Sequence, residues 1–380
     1  MIIKYGSQTI SKKDGELTAK ILNNSYLTQG PEVKKFEDNL KKKFAAKYCS
    51  VVSSGTAALH LAVMSLSLAK NSKIVTTPMT FVATSNSIIM NNLIPEFVDI
   101  ETNSYTIDLN KLEQKLKKDK KIKAVIGVDY AGNICDWESL NFLSKKYNIK
   151  LINDNCHAIG TKYKGKIGYA CKFADIVTHS YHPVKNFTTG EGGAILSNNS
   201  QYIKKAKILR SHGLFYTNKK NSNRYYDLKT LGYNYRLTDF QCALGISQLK
   251  KLPKFIEKRR SISKVYDNSF QKIEFMKVID EKKNDYSANH LYPLLIDFKK
   301  LKVSKKQFFL RMLKKKIRLQ THYMPLHFHS YYKKNFKFAN QKYPISELFY
   351  DREVSLPIYY GLSSKDTKKV IIKIFETLKE

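Results

Sequence analysis

The chain has 380 residues, 42% hydrophobic and 26% charged, ordinary globular values that exclude disorder or a fibrous repeat as the dominant state. Its length predicts roughly two to three domains, or one large domain with an appendage. A net charge of +35 would suit nucleic acid, an anionic membrane or phosphorylated substrates. The lysines are spread through every part of the chain, however, and Asn, Ile, Tyr and Phe are abundant. AT-biased codons and solvated faces explain that texture better than a dedicated polyanion site.

Between about 54 and 197, short β-branched runs alternate with amphipathic stretches, which predicts an α/β fold with a largely parallel sheet and crossover helices. The candidate strands are 73–78, 96–100, 124–130, 150–154, 175–180 and 193–196. The candidate helices are 56–68, 109–117 and 137–147, the last with Asp136 as N-cap. A Lys/Asn-rich segment at 217–224 reads as an exposed loop. From 238 to 270 a long helical pattern leads into a smaller C-terminal α+β region. The boundary is placed near Ser247, dividing 1–247 from 248–380. Beyond it, 290–296 and 317–323 read as strands, and 304–314 and 364–378 as helices. No internal repeat of fixed period is present.

Five cysteines (Cys49, Cys135, Cys156, Cys171 and Cys242) show no CxxC pairing, so neither a disulfide framework nor a zinc ribbon is expected, and a reducing cytoplasm is. The opening MIIKYGSQTISKKDGE has no signal-peptide pattern, and no window reaches the roughly 18 apolar residues of a membrane span. His327 and His329 have the spacing of a metal pair on a strand, but no third ligand accompanies them, so no metal is expected.

The chemistry concentrates in three segments. SYHPVKNFTTGEGGA (180–194) places Lys185 in a Pro- and Gly-punctuated turn between two candidate strands. LINDNCHAIG (151–160) ends a hydrophobic strand in Asp154, at the carboxyl edge where parallel sheets bind ligands. Such a lysine and carboxylate are what pyridoxal phosphate requires: an amine for the Schiff base, and an anion that keeps the pyridine nitrogen protonated. VSSGTAA (52–58) opens a helix with small residues and a hydroxyl, so free N–H groups and the helix dipole can hold a phosphate.

With LTQG (27–30), TPMTFVAT (77–84), RSHG (210–213) and GYNYRL (232–237), these segments resemble the sugar-aminotransferase family of fold-type I pyridoxal-phosphate enzymes over nearly the whole chain. VDYAG (128–132), NHLYP (289–293) and HYMP (322–325) are similar to the branch of that family serving pseudaminic acid biosynthesis. The resemblance implies a cytoplasmic homodimer with a shared active site. It also implies transfer of the amino group of L-glutamate to C4 of a UDP-linked 4-keto-6-deoxy-N-acetylhexosamine. Lys185 matches the catalytic lysine and Asp154 the pyridine-nitrogen partner. Gly55, Thr56, Ala57 and Ser180 match the phosphate site, Asn234 a phosphate ligand from the other subunit, and Phe81 the aromatic stacked on the cofactor. Tyr5, Ser25, Tyr26, Leu27, Thr28, Gln320, Thr321, His322 and Tyr323 match substrate-contacting segments.

His157 and His182 lie beside the catalytic residues, with packing as good an explanation as proton transfer. Glu191 belongs to its turn, and Arg236 is a candidate for the donor carboxylate on charge alone. The nearest alternative is a related aminotransferase for another keto sugar: D-configured, dTDP- or GDP-linked, aminated at C3 or C4. The family's dehydratases typically carry histidine in place of the lysine, so Lys185 argues against them. A basic nucleic-acid binder would need a clustered basic face, which the scattered lysines do not form.

Overall fold

The computed structural model describes residues 2–23, 26–217, 225–281, 285–336, 338 and 341–380. Its centre is a seven-stranded sheet made of β1 (Tyr48–Val52), β2 (Lys73–Thr76), β3 (Ile94–Phe97), β4 (Ile122–Val128), β5 (Lys150–Asp154), β6 (Ile176–Ser180) and β7 (Gly193–Ser197). The spatial order is β1-β7-β6-β5-β4-β2-β3. Only β7 is reversed, antiparallel to both β6 and β1. The sheet is therefore mostly parallel, as the alternating pattern predicts. β1 is an addition: its five residues YCSVV lie before the point where the sequence pattern begins.

Alternation along each strand sends side chains to two separate cores. Val51, Val75, Val125, Leu151 and Val177 face one side. They pack under Phe36 and Leu40 of the helix Pro31–Phe44, Trp137 and Leu140 of Trp137–Tyr147, and Leu249 and Leu252 of the long helix Asp239–Phe270. Val52, Ile74, Ile126, Ile152 and Ile176 face the other side, under Leu61 and Ala62 of Gly55–Ser65 and Ile203 and Ala206 of Ser200–Leu209. Both faces are covered, so the middle strands carry apolar side chains to both sides and turn polar only toward their carboxyl ends, at Asn153–Asp154 of β5 and Thr178–Ser180 of β6.

The smaller region has its own core, built on a three-stranded antiparallel sheet of Met276–Lys277, Tyr292–Ile296 and Glu353–Leu356. The helix Asp239–Phe270 serves both regions. Leu249, Leu252 and Ile256 lie in the first core, while Ile262, Tyr266 and Phe270 lie in the small one. Ser247 thus falls inside a continuous helix, and Ile3, from the opposite end of the chain, also packs in the small core. The segment 317–323, read as a strand, makes only the isolated bridges Ile3↔Ile317 and Gln320↔Ser355, because it crosses between those two partners. Of the expected loop at 217–224, only Thr217 is described. Among the described residues no helix is long and apolar enough to cross a membrane, and no group of three or more His, Cys, Asp or Glu could hold a metal.

The carboxyl ends of β4 and β5 are tied together by Asp129. Its buried carboxylate accepts from Cys135 N and Trp137 Nε1 at 2.9 Å each, Asn153 Nδ2 at 3.0 Å, Asn155 Nδ2 at 2.9 Å and Tyr169 OH at 2.8 Å. Asp129→Ala would leave these donors dry and unpaired. The expected loss is about 3 kcal/mol of folding stability, read from urea unfolding. A loss below about 1 kcal/mol would show that the donors find other partners.

Candidate active site

Lys185 lies in the connection between β6 and β7. Tyr181 closes this turn, donating its N–H to Gly192 O at 2.8 Å and accepting the Thr188 hydroxyl at 2.7 Å and the Thr189 N–H at 3.1 Å. Gly190, at φ 81°, supplies the left-handed residue that the turn needs. The part-buried Lys185 amine has its pKa lowered by burial, with Asp154 acting in the opposite direction. Asp154 ends β5 and is buried. Its carboxylate accepts the Thr84 hydroxyl at 2.8 Å and the Cys156 N–H at 3.3 Å. Thr84 is in turn hydrogen-bonded to Thr80 at 2.8 Å.

The phosphate segment forms as its sequence implies. Ser54 caps the 11-residue helix Gly55–Ser65, accepting the Ala57 N–H at 3.1 Å. Thr56 is exposed in the first turn. Gly55 is required because a Cβ there would lie 2.6 Å from Ser180 Cβ and 2.9 Å from Ser180 Oγ. The glycine thereby seats the Ser180 hydroxyl against the helix N-terminus, whose dipole and free N–H groups favour an anion.

Opposite stand Phe81, His322 and Tyr323. Phe81 is 53% exposed, unusual for a ring of its size, and its centroid is 5.8 Å from that of Tyr323. Tyr323 OH meets His157 Nε2 at 2.9 Å, and the His157 ring is 4.5 Å from His290. Tyr5 lies 5.2 Å from the His322 ring. Burial, with Lys185 adding to it, pushes the pKa values of His157 and His290 well down and that of His322 to about 3. The three rings are therefore neutral at physiological pH.

Other expected site residues stand apart. Gln320 is exposed, and Thr321 lines a separate cleft of about 470 Å³ with Lys305, Tyr350 and Arg352. Tyr26, Leu27 and Asn234 are exposed on the protomer surface, and Thr28 is bridged to Thr238. Ser25 lies outside the described residues. Arg236 lines another cleft, beside Lys207 and Arg210. His182 is exposed, and the Glu191 carbonyl accepts from Thr189 and Gln241 within its turn.

The sequence reading passed over Thr84, although it lies in TPMTFVAT, and His290, although it lies in NHLYP. It also passed over Arg259, a buried guanidinium donating to His290 O at 3.0 Å, Ile358 O at 2.8 Å and Val184 O at 3.5 Å. Arg259 joins the backbone beside Lys185 to the small region, and no motif marked it.

These residues fit pyridoxal phosphate. An amine of lowered pKa lies in the field of a buried carboxylate, an open aromatic face is present at Phe81, and a glycine leaves the helix N-terminus clear for an anion. Gly55→Ala is expected to weaken pyridoxal phosphate binding by about tenfold or more in an absorbance titration. Unchanged affinity would move the phosphate elsewhere.

The chain matches the DegT/DnrJ/EryC1/StrS aminotransferase family over residues 8–375. It is 40% identical to the UDP-4-amino-4,6-dideoxy-N-acetyl-beta-L-altrosamine transaminase of Campylobacter jejuni serotype O:23/36, covering 100% of this chain and 98% of that one. It is 34% identical to the transaminase of the same name from Helicobacter pylori, covering 99% and 98%. Among solved structures, the Helicobacter pylori PseC aminotransferase involved in pseudaminic acid biosynthesis superposes with a TM-score of 0.92 at 32% identity, covering both chains fully. The PLP form of Spr1654 from Streptococcus pneumoniae, described as a sugar aminotransferase, gives 0.89 at 26% identity, covering 100% of this chain and 99% of that one. The match extends over nearly the whole of the fold. The chain belongs to the DegT/DnrJ/EryC1/StrS family and is a pyridoxal-phosphate-dependent aminotransferase.

Proposed function

We propose that the enzyme moves the amino group of L-glutamate to C4 of UDP-2-acetamido-2,6-dideoxy-β-L-arabino-hex-4-ulose, a step of pseudaminic acid biosynthesis. The observation that carries this reading is the full-length 40% identity to a transaminase named for the altrosamine product.

When bound, pyridoxal phosphate supplies an electron sink for the carbon that loses its proton. Lys185 would anchor the cofactor, and its amine would hold and move the migrating proton at Nζ. Its lowered pKa favours the neutral amine that this needs. Asp154, fixed by Thr84 and Cys156 N–H, keeps a proton on the ring nitrogen. Gly55, Thr56, Ala57 and Ser180 would hold the phosphate, and Phe81 would offer its open face to the ring. Tyr5, His322 and Tyr323 line the substrate side, where neutral rings offer hydrogen bonds without attracting a second cation.

The homodimer belongs to the same proposal. Phe215, Leu228 and Leu231 are exposed apolar side chains on or beside the hairpin formed by Leu214–Thr217 and Tyr225–Leu228, and Tyr26 and Leu27 are exposed too. A patch of this kind favours a protein partner over water. Asn234 is one residue from Tyr235, whose carbonyl accepts the Ser53 N–H at 2.9 Å next to the phosphate helix. A second protomer docked on this face would receive Asn234, together with the 26–28 segment, into its own site.

With pyridoxal phosphate, the wild type is expected to show the visible band of lysine-bound cofactor, bleached by L-glutamate, and Lys185→Ala to lack it. In a keto-sugar panel the UDP-linked L-arabino 4-keto sugar is expected to react fastest. A faster dTDP-, GDP-linked or 3-keto substrate would replace this assignment. Mixing Lys185→Ala and Asn234→Ala protomers, each of low activity, is expected to restore about a quarter of the sites by random exchange. No recovery on mixing would remove Asn234 from the partner's site.

A further inference from the structure

Glu353 opens the strand Glu353–Leu356 and is fully buried. Its Oε2 accepts the backbone N–H of His322 at 3.0 Å, and its Oε1 accepts the Ser355 hydroxyl. Ser355 Oγ in turn lies 2.8 Å from His322 Nδ1. Carboxylate, hydroxyl and imidazole form one chain leading from the small sheet to the pocket.

Hydrogen counting fixes the direction of that chain. A serine has one hydroxyl hydrogen, and an ionised carboxylate can only accept. The Ser355 hydrogen is therefore committed to Glu353, so the contact with Nδ1 is a hydrogen bond only if Nδ1 carries the hydrogen. The neutral His322 ring then has a bare lone pair at Nε2. That nitrogen makes no hydrogen bond among the described residues. Its ring stands between Tyr5 at 5.2 Å and Tyr323 at 4.9 Å, in the field of Lys185.

We propose that Glu353 and Ser355 are positioning residues that hold His322 as the Nδ1–H tautomer, so that Nε2 accepts a hydrogen bond from a hydroxyl of the sugar substrate. The identity of the ligand rests on the nucleotide-sugar reading, whereas the tautomer is a property of the protein alone. The arrangement explains why a carboxylate is buried where an apolar residue would pack more cheaply: it discriminates a hydroxyl donor from an acceptor at the same place.

The same geometry has a reversed state. Burial raises the Glu353 pKa to about 7, opposed by Ser355, Lys305 and the His322 N–H. The titratable groups facing it are Lys305, His322, Tyr130 and Tyr323. Lys305 has its own pKa lowered by burial, with Glu353 and Asp351 acting in the opposite direction. Protonated Glu353 can donate to Ser355, whose hydroxyl then turns to Nδ1. The imidazole keeps one proton, exchanged through solvent from Nδ1 to Nε2, and shows the pocket a donor.

The test is imidazole ¹⁵N NMR of the holoenzyme with labelled histidine, His322 being assigned by its loss in His322→Asn. At alkaline pH the wild type is expected to show the Nδ1–H signature, changing to Nε2–H as pH falls through about 7. Glu353→Gln keeps the shape but can donate to Ser355, so it is expected to show Nε2–H at alkaline pH. It is also expected to raise the keto-sugar KM about tenfold more than the glutamate KM. Ser355→Thr, which keeps the hydroxyl, is expected to retain the wild-type signature, and Ser355→Ala to lose it. An Nε2–H signature in the alkaline wild type would overturn the proposal. So would Glu353→Gln and Ser355→Ala spectra like the wild type, or equal KM changes for sugar and glutamate. If wild type aminated no nucleotide sugar, the substrate reading would fail while the spectra still decided the tautomer.

Discussion

The active site depends on the register of three parallel strands. β4, β5 and β6 place Val128, Asp154 and Thr178 side by side, so the position of the Asp154 carboxylate is set by sheet hydrogen bonds before any side chain acts. Asp129 then fixes Asn153 and Asn155, the residues on either side of Asp154, through two bonds to one oxygen. A buried carboxylate satisfied by five donors costs less than its isolation would suggest, because each donor is buried too and needs the acceptor. Its pKa is nevertheless raised by burial, against the pull of those bonds. A structural acid one residue beyond β4 thus gives a functional acid at the end of β5 its direction.

Around that frame the electrostatics are sorted by burial. Burial lowers the pKa of Lys185, and the histidines close to it give up their charge. Had His157, His290 and His322 been protonated, they would have repelled a lysine that must itself pass between charged and neutral forms. Neutral rings add no positive charge beside Lys185. The scattered surface lysines contribute only a long-range field, screened by salt within about 10 Å.

Much of this was legible in the residues. The glycine before Thr56, the aspartate ending β5 and the lysine in its Gly-rich turn each have few chemical explanations, and fewer still when taken together. Other parts were hidden for physical reasons. β1 is an edge strand of five residues that begins with an exposed tyrosine and carries little periodicity. IRLQTHY at 317–323 alternates like a strand, yet adjacent residues serve different partners: Thr321 a separate cleft, His322 the pocket. Glu353 and Arg259 look like surface charges in a chain so rich in them. Only the fold shows that each is buried and hydrogen-bonded on several sides.

The pairing of Ile3 with Ile317, and the hydrogen bond from Ile358 N to Tyr5 O at 3.0 Å, bear on the order of assembly during synthesis. The segment around Ile3 leaves the ribosome long before its partners exist. It must wait unpaired while the large sheet, whose strands all lie before residue 198, forms behind it. Tyr5 therefore joins His322 only after the chain has been made as far as Ile358. A ribosome-bound chain with the parallel sheet already folded would still lack the contact between Tyr5 and the His322 ring. Contacts across so wide a sequence gap close late, so the strands that carry Asp154 and flank Lys185 can be in place before Tyr5 meets His322.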